Sequence, residues 1–313
     1  MATGVSSVVL ANVPDVAVGD VLGSCAYNLL ILVFLDYLDR DTPFFKYAGS
    51  GHILSAGFGI VMLGVVCWNL VLSQFGLQWS VWNIGIYTPM IFLIYVFAMR
   101  TIFVYEKAHV ADFTDKEPDK YPGQSLRGLL VRYGIAAAFV VAAGIWLSYV
   151  AADIAEQMGW SYSFVGTMFA ALVTSLPELV VTYTAVRIGA VDMAIGDLLG
   201  SNLFNILILS VDDVFYRAGD LLSSISSIHL VTAISATIMT GITVIGLFLR
   251  SRRQILNRFG WPSIFLLLVY LVNGGILYFH SNSQEKGIDV EKAPAARHTT
   301  GLAIEASWAM RAE

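Results

Sequence analysis

Apolar runs of about 17 to 25 residues, the length a helix needs to cross the hydrocarbon layer, recur eight times along the 313-residue chain. They predict helices near Ala17 to Leu35, His52 to Leu72, Trp79 to Phe103, Leu129 to Ala152, Phe164 to Val186, Asp192 to Val211, Ile225 to Leu249 and Trp261 to Phe279. Between the third and fourth runs lies the longest internal polar segment, YEKAHVADFTDKEPDKYPGQSLR, which divides the spans three and five. Charge, Pro and Gly mark it as a loop. The stretch after Phe279 is polar enough to predict a mostly disordered tail. The pattern therefore predicts an all-α membrane protein with three spans over 1–104, a loop over 105–127, five spans over 128–280 and a tail over 281–313.

One of these runs breaks its own rule. Glu178 lies near the middle of the fifth span, and an ionisable group at that depth is costly and marks function by default. Thr167, Ala171, Thr174, Glu178 and Thr182 follow at steps of 4, 3, 4 and 4, which stacks them on one helical face. Pro177 has no N–H and crowds the carbonyl of Val173, so carbonyls in the turn before Glu178 leave the helix ladder. Freed carbonyls beside a carboxylate are ligands for a hard cation. A proline alone is compatible with a simple kink, and a threonine can satisfy itself on the preceding turn. An unpaired carboxylate has no such structural explanation.

Composition agrees with the spans: 57% of residues are hydrophobic and 13% charged, and mean hydropathy is +0.71. A soluble domain does not have that balance. Cys25 and Cys67 lie in apolar runs without CxxC or His spacing, which predicts packing residues rather than a disulfide or a zinc site. No basic run suggests nucleic acid, so the partners are the lipid bilayer and inorganic cations. The uncharged opening MATGVSSVVLANVPD does not read as a signal peptide. With Met1 outside, thirteen of the eighteen Lys and Arg fall on inner loops and flanks, four in the tail, and Arg217 alone on the outer loops. That asymmetry places the 105–127 loop in the cytoplasm and both ends outside.

The chain also repeats itself. A shift of 177 places DVAVGDVLGSCAYNLLIL, Asp15 to Leu32, on DMAIGDLLGSNLFNILIL, Asp192 to Leu209, without a gap. The first copy starts outside and the second inside, five spans later, which is the pattern of an inverted-repeat transporter. Asp20, Ser24 and Asn28, like Asp197, Ser201 and Asn205, recur every fourth residue on one face. Gly19/Gly23 and Gly196/Gly200 predict close helix approach. Taken singly, the Ser and Asn residues fit interhelical hydrogen bonding and the glycines fit packing. Repeated beside Glu178, they predict a pseudo-symmetric ion site.

The strings GTMFAALVTSLPEL and GDLLGSNLFN closely resemble the second conserved repeat of the sodium/calcium exchanger family, the calcium/cation antiporters. PDVAVGDVLGSCAYN resembles the second half of that family's first repeat. The resemblance spans nearly the whole chain except the tail. It implies two inverted halves, no cofactor, and calcium and sodium as transported ions. It also implies Ala171 through its carbonyl, Thr174, Glu178, Ser201 and Asn205 as ligands from the second repeat, with Ser24 and Asn28 from the first. Asp20 and Asp197 are further candidates on the same stripes. The chain departs from the family where the shift brings Glu178 onto Met1, so a second glutamate and the span before it are not represented. Cys25 likewise stands where the second copy has Asn202.

The expected function is a secondary antiporter exchanging calcium for sodium by alternating access. The alternatives are a proton-coupled exchanger with Glu178 as carrier and a non-transporting, truncated homologue. An intramembrane enzyme ranks below these: no Ser/His or paired-Asp constellation sits at matching depth, and His229 reads as a satisfied packing residue. One carboxylate balances only one positive charge, so Glu178 by itself predicts weak calcium binding unless Asp20 or Asp197 faces the site.

Overall fold

The computed structural model describes residues 1–38, 49–77, 79–110, 126–249, 254–255 and 259–292. Its long helices are α2 (Pro14–Leu38), α3 (Ser50–Gln74), α4 (Tyr87–Val110), α5 (Leu126–Met158), α9 (Val191–Phe215), α10 (His229–Leu249) and α11 (Trp261–Lys292). These seven are long and apolar enough to cross a membrane. An eighth candidate span is broken: α6 (Tyr162–Val165), a π-helical turn over Gly166–Ala170 and α7 (Ala171–Thr174) meet α8 (Leu176–Arg187) at a 41° bend. Eight apolar runs thus correspond to eight candidate spans.

Several boundaries differ from the hydropathy pattern, each for a local reason. The run from Trp79 begins as a hairpin, β1 (Ser80–Val81) against β2 (Ile84–Gly85), with Trp82 and Asn83 at positive φ in the turn. The helix starts only at Tyr87. The run from Ile225 follows a 3₁₀ turn, Leu221–Ser223, whose Leu222 amide is capped by the Asp220 side chain, and α10 starts only at His229. The tail is not wholly irregular, since α11 continues to Lys292, whereas 293–313 lie outside the described residues. A short helix, α1 (Ala2–Val9), occupies the uncharged N-terminal stretch, for which no element was expected. It is bound through the Ser6 and Ser148 hydroxyls, 2.5 Å apart, and through Ser148 Oγ donating to the Thr3 carbonyl.

Helices α2 and α9 form the centre. The apolar window of α2 is 83% buried and that of α5 only 11%, so α2 is surrounded by protein and α5 faces outward. Leu22, Leu29, Leu32, Ile195 and Leu198 are fully enclosed. Glycines bring α2 against the broken span: a Cβ on Gly23 would lie 2.4 Å from the Thr167 carbonyl oxygen, and one on Gly19 2.9 Å from the Thr167 nitrogen. The second pair does less. Gly196 lies under the His52 ring, but a Cβ at Gly200 would meet nothing within 4 Å. The expected close approach at Gly200 is therefore absent, because no described helix packs over that turn.

The polar contacts between the two halves recur in pairs. His52 Nε2 lies 2.8 Å from Asp192 Oδ1, and the Gly49 amide donates to the same oxygen. His229 Nε2 lies 2.9 Å from Asp15 Oδ1, and the Ser226 amide donates to it. Asp36 accepts from the Gly260 amide and the Ser263 hydroxyl. Asp213 accepts from the Gly85 and Leu221 amides and the Tyr87 and Thr88 hydroxyls. Asp15 and Asp192, Gly49 and Ser226, His52 and His229, and Asp36 and Asp213 are each 177 residues apart. His229 is thus bonded through Nε2, whereas its buried Nδ1 has no partner, so the ring is only half satisfied.

Candidate cation site

The bend in the fifth span arises where the sequence frees backbone groups. Ser175 leaves the helical region at φ −93°, ψ 1°, and Pro177 sits in the first turn of α8. Glu178 is also in that turn, where the helix N-terminus favours a negative charge. The last residue of α7, Thr174, thereby faces α2 just above the break.

Three of the expected residues meet there. The Thr174 hydroxyl donates to Asp20 Oδ1 at 2.6 Å. Ser24 Oγ lies 3.1 Å from Thr174 Oγ1. Asp20 is 5% exposed, so its carboxylate is held within the protein rather than in water. Glu178 Oε2 and Asp197 Oδ2 are both buried and make no hydrogen bond to protein. Asp20 and Glu178 are close enough to act on one another electrostatically, as are Glu178 and Asp197. Carboxylates so placed repel one another unless a cation or protons lie among them. Carboxylate and hydroxyl oxygens gathered beside a helix break suit a hard cation that is bound and released.

The remaining candidates are more dispersed. The Ala171 carbonyl accepts the Ser175 amide at 3.1 Å, and its methyl faces Gly23. Asn28 is fully buried, and its Nδ2 donates to Asn202 Oδ1 at 3.0 Å rather than pointing at Thr174. Ser201 and Asn205 are half-buried on α9, and Asn205 neighbours the Cys25 thiol. Thr182 bonds back to the Glu178 carbonyl at 2.7 Å, the self-satisfied arrangement open to any helical threonine. Thr167 Oγ1 is buried without a partner.

Sequence reasoning missed the Asn202 contact and both His–Asp pairs. Their signal was the shift of 177 itself, which continues past Leu32 and places His52 on His229.

Comparison with known proteins places these observations. The model of the sodium/calcium exchanger protein family matches residues 129–279. That stretch of the chain is thus similar to the sodium/calcium exchanger family. It is a family of transporters, not enzymes, and the chain is an integral, multi-pass membrane protein. The chain is 32% identical over 126 residues to the sodium/calcium exchanger MaX1 of Methanosarcina acetivorans, covering 40% of this chain and 33% of that protein. It is 29% identical over 204 residues to the inner membrane protein YrbG of Escherichia coli, and 26% over 197 to the putative antiporter CaxA of Alkalimonas amylolytica. Each of those two matches covers 62% of this chain and 58% of the relative. The chain thus spans between a third and three-fifths of the relatives it matches. Its fold is similar to that of native YfkE, with a TM-score of 0.56 at 16% identity, over 89% of this chain and 80% of that one.

Proposed function

We propose that this protein is a secondary cation antiporter that exchanges calcium for sodium by alternating access between two inverted halves. The observation that carries the reading is the convergence of Asp20, Ser24 and Thr174 at the break of the fifth span, one turn from Glu178, whose buried Oε2 has no partner. Thr174 donates its hydrogen to Asp20 and accepts from Ser24, which leaves its second lone pair to face a cation. Glu178 supplies one charge and Asp20 a second, which meets the requirement of a dehydrated divalent ion for about two nearby negative charges. Ser201, Asn205, Asn28 and the Ala171 carbonyl are proposed as ligands completed when α9 and the broken span move relative to α2.

The paired contacts favour the inverted arrangement. In one pair Asp15 of the first half meets His229 of the second, and in the other Asp192 of the second half meets His52 of the first. Two halves related by a twofold axis in the membrane plane produce such reciprocity. The test is flux of labelled calcium into vesicles holding the 313-residue chain, under an imposed sodium gradient and, separately, an imposed pH gradient. Uptake driven by sodium supports the proposal. Uptake driven only by the pH gradient points to proton coupling, and no uptake under either gradient defeats the antiporter reading for this chain.

A further inference from the structure

The β1–β2 hairpin and the first turns of α4 lean on the last turns of α9 and enclose a groove of about 800 Å³. Trp82, Phe92 and Leu93 line one wall, and Leu207, Val211 and Val214 the other. From Leu207 to Phe215 the wall rises about 12 Å, most of one leaflet of a hydrocarbon layer about 30 Å thick. Of the polar lining residues, Thr88 already donates to Asp213, and the Ser210 hydroxyl is buried. The interior therefore offers its occupant apolar contact.

The rim is different. Arg217 follows two residues after Phe215 and is exposed. Its carbonyl accepts from Asn83 Nδ2 at 3.4 Å, which ties it to the hairpin beside Trp82. Among the described residues no carboxylate pairs with its guanidinium. The nearby acid, Asp220, is engaged in capping the Leu222 amide. Arg217 is also the one basic residue that the charge distribution leaves on the outer loops. An apolar slot one leaflet deep, with an exposed tryptophan at its mouth and the backbone of an exposed arginine tied to the same hairpin, has the chemistry of a phospholipid seat.

We propose that this groove holds one acyl chain of an outer-leaflet glycerophospholipid whose phosphodiester is bound by Arg217. The test uses the full chain, purified in detergent, stripped of lipid and reloaded with phosphatidylglycerol, phosphatidylethanolamine or a phosphate-free glycosyl diacylglycerol of matched acyl chains. Retained lipid is counted by native mass spectrometry. Both phospholipids should remain at one per chain, with the glycolipid retained about tenfold more weakly, the value of one charge-assisted hydrogen bond. Arg217→Gln should bring the phospholipids down to the glycolipid level. Val211→Trp, or Leu93→Trp should the first variant misfold, should fill the slot and abolish retention of all three. Equal retention of the three lipids by the parent chain overturns the proposal, as does indifference to Arg217→Gln. Displacement of phospholipid by excess inorganic phosphate would show a free-anion site instead. A lipid-free dimer dissolved by Val211→Trp would show that the groove is an interface between copies.

Discussion

Cys25 and Asn202, 177 residues apart in the chain, hold one another across the centre of the protein. The Asn202 side-chain amide donates to the Cys25 carbonyl at 3.1 Å, and the Cys25 thiol points back at the Asn202 carbonyl at 3.8 Å. Asn202 Oδ1 accepts in turn from Asn28. Residues that the repeat places in equivalent positions are thus each other's neighbours, as expected at a twofold axis. The departure from the repeat, Cys25 for Asn202, falls at this contact.

Asn202→Ala should therefore destabilise the protein without removing a proposed ligand. It leaves the buried Asn28 side-chain amide without its acceptor, which costs about 1 to 3 kcal/mol, and removes the second bond to the helical Cys25 carbonyl. Thermal unfolding in detergent, followed by helical signal, checks this. A melting temperature equal to that of the parent chain would show that the contact carries no weight.

Glu178→Gln keeps the shape of the side chain and removes its charge. The variant should insert and fold, with ion-driven flux lost. Flux near the parent level, measured in the same vesicles, would end the assignment of Glu178.

The second charge is tested at Asp20. Asp20→Asn should lower apparent calcium affinity about tenfold or more, because one unit charge a few ångströms from a cation contributes several kcal/mol inside a protein. Sodium, needing less compensation, should be affected less. Robust sodium-driven calcium uptake by the Asp20→Asn and Asp197→Asn double variant would refute the charge argument.

The two His–Asp pairs should differ in weight. The Asp192 side chain is 63% exposed and that of Asp15 only 24%, with His229 fully enclosed. His229→Ala leaves a largely buried carboxylate short of a donor and should cost about 2 kcal/mol. His52→Ala frees its partner to water and should cost less than about 1 kcal/mol. Equal losses in thermal unfolding would contradict the exposure argument.

A cysteine placed in the 105–124 loop should react with impermeant reagent only from the cytoplasmic side, and one in the 293–313 tail only from outside. Labelling in the reverse sense would also undo the proposed inversion of the halves.

The sequence by itself determined the apolar runs, the anomaly at Glu178 and the repeat, because each rests on one-dimensional quantities. Apolar length is set by bilayer thickness, an acid at mid-span is costly wherever it packs, and identity at a fixed shift requires no coordinates. It did not determine the helix boundaries at Trp79 and Ile225, where turn geometry at Asn83 and capping by Asp220 overrode hydropathy. Nor could it decide which of several stacked oxygens meet. Thr174, Thr167 and Thr182 share one stripe, yet among them Thr174 reaches Asp20, while Gly19 and Gly23 press α2 against the backbone at Thr167 and Thr182 bonds back to its own helix. Asn28 and Asn205 sit at equivalent repeat positions, yet Asn28 is spent on Asn202 while Asn205 lies beside a thiol. Periodicity assigns a side chain to a face; the distance between faces is set by how closely the backbones pack, and only the tertiary structure decides that.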